Sequence, residues 1–188
     1  MNSNGNFSTA AINEMRELGI IDVYDALRPP LPRKLNDRVE LVPMNRISAD
    51  AVLNEAFSYM KPSSFSRATT FEIADTQILL ISGTASVGSG GETVHPDDFN
   101  AQQWRTYRNI TELLNQNQMT WHNVVWTSNY LRDIDRDYDK FNTNRTKFYT
   151  WLGLQPLPAS LGVQAQLCRS DLLVEISAVA IAKKVSSD

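Results

Sequence analysis

The stretch from Leu157 to Ala182 constrains this chain more than any other. It reads as two strands joined by a short polar turn, Arg169-Ser170-Asp171, and the second strand, Leu172 to Ala182, is apolar at both alternating positions. A strand of that kind is usually buried on both faces and sits in the middle of a sheet. One acid interrupts it, Glu175. A carboxylate in such a place is costly unless paired or hydrogen-bonded, and desolvation favours its protonated form. Glu175 is therefore the first candidate for chemistry. With a two- or four-residue connection, Gln166 stands opposite Glu175 and Cys168, the only cysteine, stands opposite Leu173. A three-residue connection puts Glu175 opposite Ala165 and separates these groups. The plainer alternative is a core glutamate satisfied by backbone donors or by a subunit contact.

The 188 residues suffice for one ordinary domain and an extension. Hydrophobic content of 42% and charged content of 21% describe a soluble globular chain. No run approaches the ~20 apolar residues of a membrane span, and the first residues lack a basic-then-apolar leader pattern. A lone cysteine fits a reducing compartment, so a cytoplasmic location is expected. A net charge of −3 and a pI near 5.4 leave no electrostatic footprint for nucleic acid. His95 and His122 show no ligand spacing with each other or with Cys168, so no metal site is expected, and no cofactor is implied.

Residues 1–60 read as an N-terminal extension with a Pro-rich linker, and 61–188 as the main domain. In the extension, Ser8 or Thr9 caps a short helix ending at Gly19, the run Leu27 to Pro32 is extended, and a second short helix starts at Ser48. From Phe65 the pattern turns to strands: Phe65–Ile73 and Gln77–Ser82 form a hairpin about Ala74-Asp75-Thr76. Gly83-Thr84-Ala85 follows directly, small residues that let a ligand approach the backbone. Asp97 or Asp98 caps a long helix with an apolar stripe of Trp104, Tyr107, Thr111 and Leu114. Val124–Leu131 is a third strand. A second long helix begins near Asp137 with Tyr138, Phe141, Phe148 and Leu152 on one face, and Arg145 lies within that face. Arg145 either snorkels to the helix edge or offers its fork to a carboxylate in a cleft. The resulting order, β-β-α-β-α-β-β, gives an α+β fold with one mixed sheet and both helices on one face. The other face needs cover, so self-association is expected.

Leu80-Ile81-Ser82-Gly83, Asn109-Ile110, Asp133-Ile134 with Phe141-Asn142, Pro158-Ala159 and Leu173-Val174-Glu175-Ile176 fall in the order and spacing of the RidA (YjgF) family, also labelled L-PSP endoribonuclease. The resemblance runs from about Ser63 to Lys183. It implies a chorismate-mutase-like homotrimer with ligand clefts between subunits, and hydrolysis of reactive enamines and imines in its best-characterised members. In those deaminases an arginine after the Pro-Ala pair holds the substrate carboxylate; here that position is Ser160. Their water-positioning glutamate falls on Glu175, and their aromatic position on Phe65. A second set resembles the C-terminal half of the chorismatases, which remove pyruvate from chorismate. It comprises Phe65-Ser66-Arg67-Ala68, Ser82-Gly83-Thr84-Ala85-Ser86, Trp104-Arg105-Thr106, Tyr130-Leu131-Arg132-Asp133-Ile134, Arg145-Thr146 and Leu167-Cys168-Arg169 with Asp171 to Glu175. That likeness puts the catalytic glutamate on Glu175, a further catalytic position on Cys168, and a substrate-carboxylate arginine on Arg145.

Together these readings imply a hydrolase or lyase acting on a small carboxylated molecule. Glu175 and Cys168 are its catalytic candidates, and Arg145, Gly83, Thr84, Phe65, Arg67, Gln166 and Ser160 line the substrate. A non-catalytic binding trimer is the second reading and an endoribonuclease the third; ribonuclease chemistry wants a cationic track and paired acid–base groups, neither of which is visible.

Overall fold

One mixed sheet dominates the computed structural model, which describes residues 8–24, 26–29, 40–59 and 62–184. Its strands are β1 (Met44–Ile47), β2 (Ala68–Ile73), β3 (Thr76–Ala85), β4 (Val124–Leu131), β5 (Ala159–Gln164) and β6 (Val174–Lys183), in the spatial order β1-β2-β3-β6-β4-β5. The helices are α1 (Thr9–Glu17), α2 (Phe99–Gln116) and α3 (Ile134–Leu152). The chain divides into two compact units, Met1–Leu41 and Val42–Asp188. In the first, the Ser8 hydroxyl accepts from the Ala11 backbone N–H and starts α1. A single bridge joins Ile21 to Leu27. The rest of the Pro-rich segment, with Arg33-Lys34, lies outside the described residues.

In the second unit the long helices begin where short acids can cap them. Asp98 Oδ1 accepts from Ala101 N at 3.0 Å, and Asp133 Oδ1 accepts from Arg136 N at 3.0 Å. The second cap starts α3 three residues before the expected Asp137. α2 packs on β3 and β6, and α3 packs on α2 and β4. Leu79, Ile81, Val174, Ile176, Ala178 and Ala180 meet Ile110, Leu113, Phe141 and Phe148 in the core between sheet and helices.

Three expectations fail. β5 and β6 are not a hairpin: β4 lies between them, parallel to β5 and antiparallel to β6. Every pairing of Gln166 or Cys168 across from β6 is thereby removed, in either register. The physical reason is the length of α3, whose crossover returns the chain parallel to β4 at the sheet edge. Second, β6 is central but buried on one face only. Val174, Ile176, Ala178 and Ala180 are covered, whereas Glu175, Ser177, Val179 and Ile181 face outward. Third, Ser48 starts no α-helix. Residues 49–53 form a bridged turn and Ala56–Ser58 a single 3-10 turn, while Met44–Ile47 adds a strand beside β2. Residues 42–59, read as extension, thus belong to the compact unit of the sheet. No helix among the described residues is long and apolar enough to cross a membrane.

Buried amides on α2 tie the loops to the core. Gln102 Nε2 donates to Asp171 O at 2.8 Å and to His95 O at 3.1 Å, and Gln102 Oε1 accepts from Leu173 N at 2.9 Å. This fixes the entry to β6 two residues before Glu175. Asn109 Nδ2 likewise reaches Ala85 O and Val87 O at the exit of β3. Gln102→Leu orphans the buried Leu173 N–H, at ~1–3 kcal/mol, and removes the bonds to the more exposed Asp171 and His95 carbonyls. Urea unfolding should show a loss of about 1–3 kcal/mol; a loss within experimental error would mean that Gln102 does not clamp β6.

Candidate functional site

The site begins with an irregularity in β3. Thr76 to Ile81 pair with Lys183 to Ala178 in step, but Thr84 pairs with Ile176 and Ala85 with Glu175. Two residues, Ser82 and Gly83, therefore face one on β6, which is a β-bulge. A Cβ on Gly83 would stand 2.0 Å from Glu175 Oε1, so the Glu175 carboxyl lies directly over the glycine backbone. Ser82 pins the bulge: its Oγ donates to Ser66 O at 2.7 Å and its N–H to Arg67 O at 2.9 Å. Arg67 is only 3% exposed. Its Nε donates to Asn54 O at 2.8 Å, and its guanidinium lies 5.2 Å from the Tyr59 ring and 5.4 Å from the Phe65 ring. Burial lifts the Glu175 carboxyl above the ordinary carboxylate value, and the positive charge of Arg67 offsets only part of that.

A second constellation lies between α3 and β5. Arg145 Nη1 donates to Ser160 Oγ at 3.0 Å, Nη2 donates to Asn142 Oδ1 at 2.6 Å, and the guanidinium sits 5.1 Å over the Phe141 ring. Among the described residues no carboxylate pairs with Arg145. Asn129 Nδ2 donates to Ser160 Oγ at 2.9 Å from below. The crevice above holds about 480 Å³ and is walled by Arg145, Tyr149, Leu154, Leu157, Pro158 and Ser160.

The two constellations face opposite sides of the sheet. Ser160 is in register with Thr127, which is buried under the helices together with Asn129 and Leu131. Glu175 is in register with Tyr130, which alternates with those residues and points the other way. The protomer therefore brings Glu175, Gly83, Arg67 and Phe65 together, and brings Arg145 and Ser160 together, but does not join the two groups. Thr84 is fully buried on the helix side, with its hydroxyl donating to Ser82 O at 2.9 Å. Gln166 and Cys168 are exposed on the connection between β5 and β6. Sequence reasoning missed Glu55 and Arg169, which belong to the Arg67 cluster. A single acid within the apolar run Val52 to Phe57 was the signal for Glu55.

Residues 60–182 match the family described as Endoribonuclease L-PSP. The YjgF gene product of E. coli shares the fold at TM-score 0.58 and 20% identity, over 74% of this chain and 99% of that one. E. coli TdcF, solved with bound serine, gives 0.59 and 16% over 74% and 99%. Yeast Mmf1 gives 0.60 and 16% over 75% and 100%. No curated protein matches the chain. The α+β fold is that of the RidA-type proteins. The chain belongs to the YjgF/RidA/L-PSP family.

Because burial raises the Glu175 carboxyl, the folded chain holds that proton more tightly than the unfolded chain. The resulting stability is present below the ordinary value of 4.5 and is lost as pH rises through the raised folded value. Glu175→Gln should lose that part of the pH dependence, read from denaturant unfolding on both sides of the window. Gly83→Ala should lose it too, because its Cβ pushes the carboxyl into water. Wild-type slopes in both variants would show that the carboxyl does not occupy the bulge.

Proposed function

We propose that this chain is a homotrimeric enzyme acting on a small carboxylated ring, with Arg145 of one copy on the substrate carboxylate and Glu175 of the next supplying the proton. The observation that carries this reading is the opposite placement of the two groups. Each is charged or chargeable and faces open space, and one ligand can touch both only across a boundary between copies. The outward face of the sheet supports such packing, since Leu80, Trp126 and Ile181 are 43%, 41% and 39% exposed there. The bound serine of TdcF, itself a small carboxylate, is consistent with this substrate class.

The chemistry suited to a buried, proton-holding Glu175 is cleavage of an enol ether such as chorismate. The acid gives its proton to the terminal methylene carbon, and water adds to the cationic carbon that results. The hemiketal so formed loses the ring alcohol, leaving pyruvate, and the proton released by water restores the acid. Arg145, held as a fork by Ser160 and Asn142, supplies a charge-assisted contact to the ring carboxylate. The apolar walls of Leu154, Leu157 and Pro158 suit a ring better than a three-carbon imine. One observation favours imine or enamine hydrolysis as the second reading: Arg145 reaches Ser160, so a guanidinium stands beside that strand position although the strand does not provide it.

Each single variant, Arg145→Ala or Glu175→Gln, should lose pyruvate release from chorismate; in Arg145→Ala the lost charge-assisted contact alone is worth ~2–3 kcal/mol, near a hundredfold. Unfolding and reassembling the two variants together should restore about a quarter of wild-type activity, because roughly one interface in four combines an intact Arg145 with an intact neighbouring Glu175. No recovery, or a stable monomer by light scattering, contradicts the shared site. Binding of chorismate without pyruvate release makes the chain a carrier. Ammonia release from 2-aminoacrylate without action on chorismate selects the second reading.

A further inference from the structure

Near Glu175 lies a charge that the proposed chemistry does not use. The Arg67 guanidinium is buried, and its one hydrogen bond within the protomer runs from Nε to Asn54 O at 2.8 Å. Nη2 is buried without a partner, Nη1 donates to none of the described residues, and no carboxylate among them forms an ion pair with the group. The buried Glu55 is no exception, because neither of its oxygens has a partner. A guanidinium keeps its charge in such surroundings, and burying it unpaired is costly. Buried charges are ordinarily paired, so an unpaired one marks the place of an anion.

Position decides which anion. Arg67 immediately precedes Ala68, which is buried under the helices in register with Ile81, so its side chain leaves on the opposite face, the one Glu175 takes. The Arg67 carbonyl accepts from Ser82 N at 2.9 Å, and Ser82 opens the bulge over which the Glu175 carboxyl lies. The guanidinium and the carboxyl thus flank one stretch of the open face, on the side away from Arg145.

We infer that Arg67 receives a second carboxylate of the substrate, so that the site is built for a dianion. One acid, on the ring, is held by Arg145 of one copy; the other, on the arm that takes the proton, is held by Arg67 beside Glu175 of the next. This rests on the reading of Arg145 and Glu175 given above and adds to it the need for a second charge. In such an enol ether the arm carboxylate is bonded to the carbon that bears the methylene, so fixing it on Arg67 sets the methylene against the Glu175 carboxyl. Nη1 and Nη2 are both unbonded, which suits the two oxygens of a carboxylate. The Phe65 ring, 41% exposed and 5.4 Å from the guanidinium, turns aside to admit it. A three-carbon imine carries one carboxylate and engages only one of the two arginines.

Calorimetric titration of the assembled protein with meta-hydroxybenzoate and with its carboxymethyl ether, a dianion that cannot be cleaved, tests this. Wild type should bind the dianion about tenfold or more tighter than the single acid, and tighter by a similar factor than the carbamoylmethyl ether, which has the same size without the second charge. Arg67→Gln should abolish the preference and leave the affinity for the single acid within about twofold of wild type. If Arg67→Gln does not fold, Arg67→Lys decides: it keeps a buried charge but not the fork, and the preference should fall at least about threefold. Equal affinities in wild type, or a full preference in the variant, overturn the inference while the Arg145 site stands. Failure of wild type to bind any of the three ligands overturns both.

Discussion

The Glu175 carboxyl occupies the space that any side chain at position 83 would need. That contact depends on one extra residue in β3, which bends the strand and turns a bare stretch of backbone toward β6. The surroundings are arranged to hold it. Ser82 is bonded to Ser66 and Arg67, Gln102 fixes the entry to β6, and Asn109 fixes the exit of β3. A carboxyl placed between strands in this way is short of water without being sealed from it. It can therefore hold a proton and still deliver it to a ligand on the open face.

Alternation along strands then divides the charged groups. Glu175 looks outward, while Ser160 and the Arg145 that meets it look toward the helices. No side-chain rotation within one protomer reverses this, because a residue's face is set by its position in the pleat. An outward face carrying Leu80, Trp126 and Ile181 is also a poor surface to leave in water. Both features support the assembly proposed above, in which a second copy lies against the sheet.

Much of this was readable from residues. The third strand, Val124–Leu131, coincides with β4, and the Ser8 and Asp98 caps stand where short polar side chains precede apolar periodicity. Glu175 announced itself as an acid inside an apolar strand. What could not be read was which strands are neighbours. Apolarity alone made Leu157 to Ala182 look like a hairpin, whereas a crossover through α3 placed β4 between its halves. Cys168 lost its suggested place by that error, since its apparent face existed only in the false pairing. The clamping roles of the amides Gln102 and Asn109 were hidden for a different reason: polar residues within an amphipathic helix read as surface until the loops they hold are seen. Glu55 was hidden by the assignment of its segment to a chemistry-free extension.

The most direct measurement is calorimetric titration of the assembled wild type with chorismate and with hydroxybenzoates. Binding tighter than about 1 mM, at one ligand per chain, is the predicted result. It should disappear in Arg145→Ala and persist in Glu175→Gln. Absence of binding to any such acid up to that concentration, or binding indifferent to Arg145→Ala, would contradict a carboxylate site shared between these two groups.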